Sequence, residues 1–105
     1  MTKPFPKNVP DQPLYFKLIG YLNIETKKVK IVSSQYGYMT LVNLYPTIPA
    51  TAVWCLVHGM KGETYWVFNV HRVMRTRKDI FYLDKTSVKF TDYNAALAAL
   101  QMEGA

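Results

Sequence analysis

The stretch that decides the fold runs from Thr64 to Lys78 and reads TYWVFNVHRVMRTRK. It is the longest strand-like run in the chain, because aromatic and β-branched residues fill its first half. Its second half, from His71 onward, carries the densest positive charge of the sequence. We therefore predict a core strand, Tyr65–Arg75, whose end leaves the sheet as a basic segment.

Three strand-like runs precede this stretch. Leu14–Ile24 is rich in aromatic and branched residues and contains Gly20, which predicts a bulge or a sharp bend. The alternating residues that begin at Lys28 predict a second strand, paired with the first as a hairpin. A third strand is predicted for Tyr38–Tyr45, ended by Pro46 because proline cannot donate to a strand ladder.

The run Thr51–His58 allows two interpretations. Pro49 followed by Ala50 could open a short helix, but the Val, Trp and Val residues and the glycine-containing loop after His58 favour a strand in a hairpin with the central stretch. Beyond the charged turn 76–79, we predict a short strand at Ile80–Leu83. Residues 87–90 are predicted to form a seventh strand or to continue the strand at Ile80–Leu83.

The C-terminal region changes from strand to helix periodicity. Thr91-Asp92 is a good N-cap, and the alanine-rich run that follows is strongly helix-forming. Its apolar residues recur at helical spacing, as expected for a helix that covers one face of a sheet; they are Tyr93, Ala96, Leu97 and Leu100. The order of elements predicts an α+β fold: a curved, meander-like antiparallel sheet of five to seven strands with one C-terminal α-helix on one face.

Length and composition predict one domain. The chain has 105 residues and is half apolar, which suffices for a core without disulfides or a structural metal. Residues 1–13 contain four prolines and predict an extended arm, leaving 14–105 as a single α+β domain. Neither a signal peptide nor an apolar run long enough to span a bilayer is apparent, so we expect a cytoplasmic protein without membrane attachment.

Catalytic chemistry receives no support from the residue pattern. The single cysteine, Cys55, lies in an apolar run, and His58 would point to the opposite face of the same strand. The seven acidic residues are scattered, and two histidines with one cysteine do not make a zinc site. We therefore expect a non-enzymatic protein with no cofactor and no metal.

The charge and aromatic patterns together favour nucleic acid as the partner, since the formal net charge is +6 and the chain contains eight tyrosines. An open sheet face with aromatic rings to stack on bases and cations to contact phosphates is typical of single-strand-binding proteins. The predicted phosphate contacts are Arg72, Arg75, Arg77, Lys78, Lys28 and Lys30, and the predicted stacking residues are Tyr65, Trp66, Tyr36 and Tyr38.

A second interpretation also fits a small basic domain. The chain could be a protein-interaction module, such as an adaptor or a virus-encoded inhibitor, that docks on an acidic partner protein. The exposed edges of an antiparallel sheet also leave room for a symmetric homodimer.

Overall fold

The computed structural model of the chain describes residues 15–32, 37–60, 62–75, 77–78 and 81–104. These residues form a mixed α+β fold in which an antiparallel six-stranded sheet packs against a C-terminal helix, beside a separate two-stranded sheet. The predicted fold class is confirmed. The predicted arm 1–13 lies outside the described residues.

The elements are β1 (Phe16–Asn23), β2 (Val29–Ile31), β3 (Tyr38–Met39), α1 (Leu41–Thr47), β4 (Ala52–Gly59), β5 (Tyr65–Asn69), β6 (Met74–Arg75), β7 (Phe81–Tyr82), β8 (Val88–Phe90) and α2 (Tyr93–Met102). The larger sheet has the strand order β2-β1-β4-β5-β8, and β3 pairs with the N-terminal half of β1. The smaller sheet pairs β6 with β7.

Several predictions are confirmed in detail. The first two strands form an antiparallel hairpin, and residues 52–59 are a strand paired with the central strand β5. A register shift between Leu18 and Gly20 marks the predicted bulge in β1. A Cβ atom on Gly20 would lie 2.6 Å from the carbonyl oxygen of Lys30, so the close approach of β2 requires glycine there.

The third predicted strand is wrong beyond Met39, because residues 41–47 form helix α1. The Thr40 side chain caps this helix by accepting a hydrogen bond from the backbone N–H of Asn43. Leu41 and Leu44 face the core at helical spacing. Pro46 is tolerated because it stands in the last turn, and the helix ends one residue later.

The predicted strand Tyr65–Arg75 is also too long. The pairing with β4 ends at Asn69, whose side-chain oxygen accepts a hydrogen bond from the backbone N–H of His71 at 2.9 Å. A 3₁₀ turn, Val70–Arg72, follows and carries the chain out of the sheet into the β6–β7 hairpin. The basic residues from His71 onward therefore do not continue the core strand.

The larger sheet separates two apolar clusters. On one side, which we call the α1 side, Phe16, Leu18, Val57, Trp66 and Phe68 lie buried with residues of α1 and with Leu83. On the other, the α2 side, the helix packs its predicted apolar stripe over the sheet. The prediction of one covered face was therefore incomplete, because α1 and the β6–β7 hairpin cover the second face.

The helices of the described residues are short. None is long and apolar enough to cross a membrane.

Candidate nucleic-acid interface

A row of rings crosses the α2 side of the sheet at the end that α2 leaves uncovered. Pairing in register aligns Tyr38 of β3 with Lys17 of β1, Lys17 with His58 of β4, and His58 with Tyr65 of β5. Tyr93, the first residue of α2, extends the row beyond Tyr65. We call Tyr38, His58, Tyr65 and Tyr93 the aromatic row.

The rings of the aromatic row contact one another. The His58 ring stacks on that of Tyr65, with centroids 4.7 Å apart and planes inclined by 16°. The Tyr65 ring meets the edge of the Tyr93 ring at 5.7 Å, and the Tyr38 and His58 rings are 6.3 Å apart in a tilted arrangement. The Tyr38 side chain is 43% exposed, and the other three are half-buried. The row is therefore a continuous surface of rings open to solvent on one side.

Lys17 is the cation within the row. Its strand separates those of Tyr38 and His58, whose backbones are roughly 10 Å apart at the usual strand spacing of about 4.8 Å. Because the two ring centres approach to 6.3 Å, these side chains lean toward each other across Lys17. The Lys17 side chain is half-buried, as expected for a lysine whose aliphatic stem is flanked by rings.

A hydrogen bond holds the His58 ring, and nearby charge acts on the Tyr65 hydroxyl. His58 Nε2 lies 3.3 Å from the carbonyl oxygen of Gly62, to which it can only donate. Partial burial raises the pKa of Tyr65, and the nearby carboxylates of Glu63 and Asp92 raise it further. Tyr65 therefore keeps a neutral hydroxyl at physiological pH.

The predicted arginines occupy the β6–β7 hairpin and the turn that leads into it, all with exposed side chains. Arg72 Nε lies 3.6 Å from Asp84 Oδ2, and the Arg75 guanidinium lies 5.8 Å from the centre of the Phe81 ring. Arg77 and Lys78 are in the turn between the two strands. We call the exposed cations Arg72, Arg75, Arg77 and Lys78 the arginine hairpin.

The arginine hairpin packs on the α1 side, opposite the aromatic row. Phe81 contacts Tyr45 of α1 with ring centroids 5.1 Å apart, and the Tyr45 hydroxyl donates to the carbonyl oxygen of Val70 at 2.6 Å. Phe81 and Val73 pack against the core cluster of the α1 side. The arginine hairpin and the predicted stacking residues Tyr38 and Tyr65 therefore lie on opposite faces of the sheet.

The remaining predicted residues have different outcomes. Trp66 is 2% exposed on the α1 side, so its ring is not available for stacking and that prediction is wrong. Lys28 and Lys30 are exposed at the outer strand β2, where Lys30 pairs with Tyr21, a residue of the α1-side cluster. Tyr36 lies outside the described residues.

Sequence reasoning missed Lys17, His58 and Tyr93 as members of the row. The signal for His58 and Tyr65 was present, because a hairpin with the turn at residues 60–64 pairs these two residues directly. Lys17 could have been added from the β1–β4 register only after the bulge at Gly20 had been located. Tyr93 was assigned to the apolar stripe of α2, which it joins while also contacting Tyr65.

Cys55 and His58 illustrate the separation of the two sides. The Cys55 side chain is completely buried on the α1 side, where burial raises the pKa of its thiol, whereas His58 lies in the row on the α2 side. Among the described residues, no group of three or more His, Cys, Asp and Glu side chains could hold a metal ion.

Comparisons with known proteins add no relative. No protein-family model matches the chain, and neither a curated protein nor a solved structure does. The function is therefore inferred from the geometry of the chain itself.

Proposed function

We propose that the protein is a small, non-enzymatic nucleic-acid-binding protein that prefers single strands and binds them on the aromatic row. The observation that carries this proposal is the chain of ring contacts from Tyr38 through His58 and Tyr65 to Tyr93, which is partly exposed on the α2 side of the sheet. Unpaired bases stack on such rings, typically for about 1–3 kcal/mol each. Its cytoplasmic location stays a prediction.

Charge is distributed unevenly along the aromatic row, with Lys17 near one end and acidic side chains near Tyr65. Of the two acids that act on Tyr65, Asp92 caps α2 and Glu63 lies in the β4–β5 loop, whereas Lys17 lies between Tyr38 and His58. A phosphate is attracted to Lys17 and repelled by Glu63 and Asp92. The bound strand would therefore place a phosphate over Lys17 and stack bases toward Tyr65 and Tyr93.

A salt titration of oligonucleotide binding tests the proposal. We expect an oligothymidylate of about 10 nucleotides to bind at low salt, with a log–log slope of about −0.7 for each phosphate contact. Replacing Tyr38 and Tyr65 together by alanine should weaken binding by at least about tenfold, since two stacking rings are lost.

Met102→Ala provides the matched control, because it removes an exposed apolar side chain at the opposite end of α2 from Tyr93. This variant should bind like the unaltered protein. Absence of binding at low salt, or equal binding by the double-tyrosine variant, would contradict the proposal.

Docking on an acidic partner protein is the second candidate. It is favoured by the position of the arginine hairpin on the α1 side, away from the aromatic row. A stoichiometric protein partner that survives nuclease treatment and is lost after charge reversal at Arg77 and Lys78 would support this adaptor or inhibitor role.

A further inference from the structure

The arginine hairpin differs from the aromatic row in what it offers a nucleic acid. The Arg75 guanidinium lies over the Phe81 ring of this hairpin, and the same ring packs on Tyr45. Its neighbour Tyr82 is half-buried on the same short strand. The hairpin therefore offers charge to phosphates, while its Phe81 ring already packs on Tyr45.

The local charge remains positive after the nearby acids are counted. Residues 72–85 include five cations and two acids, Asp79 and Asp84. Arg72 and Asp84 form an ion pair with Nε 3.6 Å from Oδ2, which is neutral as a whole, and the other charged residues of this range sum to +3. Exposed arginines on a short hairpin suit phosphate oxygens, to which the guanidinium donates two parallel hydrogen bonds.

The two surfaces cannot serve the same few nucleotides. Tyr65 and Trp66 are adjacent in β5, yet the first belongs to the α2-side cluster and the second is buried on the α1 side. The whole sheet therefore separates a base bound at Tyr65 from a phosphate bound at the hairpin. The basic residues that follow β5 therefore cannot contact the phosphates of a nucleotide whose base stacks on Tyr65.

We propose that the arginine hairpin is a second nucleic-acid site, which binds the sugar–phosphate backbone of a separate segment without contacting its bases. The proposal rests on the proposed function, because the first segment is the strand on the aromatic row. The protein then holds two segments on opposite sides of one sheet, one by stacking and one by charge.

The two sites should differ in salt dependence. Four cations at the hairpin give a log–log slope of about −2.8 at about −0.7 per contact, whereas Lys17 alone gives about −0.7 at the row. A base-free probe separates them further, because an oligomer of abasic deoxyribose phosphates has nothing to stack.

The experiment measures two probes on four proteins. The probes are the abasic oligomer, followed by anisotropy, and a short oligothymidylate with a fluorescent base analogue whose emission reports stacking. Beside the unaltered protein and the Tyr38→Ala, Tyr65→Ala variant, the hairpin variant is Arg77→Glu with Lys78→Glu. The control variant, Lys27→Glu with Lys89→Glu, makes the same change in net charge elsewhere on the surface. All four substituted cations have exposed side chains, so the fold should survive, and a thermal melt checks it.

We expect the hairpin variant to lose at least about tenfold in affinity for the abasic oligomer and about half of the salt slope. Stacking of the short oligothymidylate should change no more than in the control variant. The Tyr38→Ala, Tyr65→Ala variant should lose stacking of the short oligothymidylate and keep its affinity for the abasic oligomer. Donor- and acceptor-labelled strands should show energy transfer with the unaltered protein and lose it in either variant.

Other outcomes would overturn the inference alone. Equal losses in the hairpin and control variants would mean that net charge decides binding, and full displacement of the short oligothymidylate by the abasic oligomer would mean a single site. Equally tight binding of poly-glutamate at the hairpin would identify it as a docking surface for acidic protein. If no oligonucleotide stacks on the row at low salt, the proposed function fails as well.

Discussion

The two sides of the sheet use aromatic residues in opposite ways. On the α1 side, Phe16, Trp66 and Phe68 are buried beneath α1 and the residues around the β6–β7 hairpin. On the α2 side, one helix of ten residues covers only part of the sheet, and the rings beyond its first turn are those of Tyr38, His58 and Tyr65. The buried rings of Phe16, Trp66 and Phe68 have no polar atom or a single N–H, whereas every ring of the aromatic row has a polar atom.

This difference assigns different roles to neighbouring residues. Rings with a polar tip can lie half in water at little cost, while a fully buried ring contributes mainly to stability. Tyr65 and Trp66 are consecutive, so one substitution at each position compares the two sides on the same strand. The following predictions use that contrast.

Trp66→Ala should have the largest effect on stability. The ring is 2% exposed in the core of the α1 side, and removal of a buried large aromatic side chain typically costs about 3–5 kcal/mol. Urea unfolding would measure the loss. Trp66→Phe is the control and should cost less, because the indole N–H has no hydrogen-bond partner among the described residues. A loss below about 1 kcal/mol for the alanine variant would contradict the assignment of Trp66 to the core.

Tyr65→Ala should mainly affect binding. Its half-buried ring stacks on His58 and contacts Tyr93, so we expect a stability loss of about 1 kcal/mol, less than for Trp66→Ala. Affinity for single-stranded oligonucleotide should fall by about 5- to 150-fold, which corresponds to about 1–3 kcal/mol of stacking. Tyr65→Phe should retain most of the affinity. Unchanged binding by the alanine variant would remove Tyr65 from the interface.

Asp92→Ala should weaken the helix that borders the row. Asp92 Oδ2 accepts a hydrogen bond from the Ala95 backbone N–H at 2.9 Å, and loss of such a cap costs about 0.5–2 kcal/mol. The substitution also removes a carboxylate that raises the pKa of Tyr65, so this pKa should fall toward 10.0. Thermal melts and tyrosine absorbance titrations measure the two effects. Asp92→Asn should keep the cap and lower the pKa; an unshifted pKa in both variants would disprove the electrostatic coupling.

Tyr45→Phe tests the polar contact on the covered side. The lost hydroxyl donates to the Val70 carbonyl oxygen at 2.6 Å, and we expect a cost of about 0.5–1.5 kcal/mol at neutral pH. Burial raises the pKa of Tyr45, with a smaller contribution from Cys55, so folding favours the neutral hydroxyl. Its contribution is complete below the ordinary value of 10.0 and decreases as the pH rises above it. Stability of the phenylalanine variant should therefore decline less above pH 10 than that of the unaltered protein; parallel declines would contradict this assignment.

Local signals in the sequence were sufficient for much of the fold. Helix α2 was predicted because its cap and its apolar spacing agree. Hairpin β1–β2 was predicted from the alternation after a polar turn, and hairpin β4–β5 from strand-forming residues before a glycine-containing loop. Helix α1 was not predicted, because Tyr45 and the β-branched Val42 resemble strand residues and Pro46 resembles a terminator. The spacing of Leu41, Leu44, Tyr45 and Ile48 does fit a helix, and Thr40 fits its cap.

The candidate site could be predicted only in part. Alternation shows that Tyr65 and Trp66 face opposite sides, but which side is covered depends on α1 and the β6–β7 hairpin, which are distant in sequence from either residue. The charge cluster at residues 72–78 was visible, yet its side of the sheet depends on where β5 ends. Asn69 decides that end through one side-chain hydrogen bond to His71, a local detail that composition does not reveal.

The burial of Cys55 has a practical consequence for measuring the motions of the sheet. Its side chain is completely buried in β4, and burial raises the pKa of the thiol, so a thiol-specific reagent reaches a reactive sulfur only when β4 separates from its neighbours. The labelling rate of the native protein then reports the free energy of that opening. An opening that costs about 5 kcal/mol slows labelling by roughly 10³–10⁴-fold. The Cys55 thiol is thus an internal probe for the opening of the central strands.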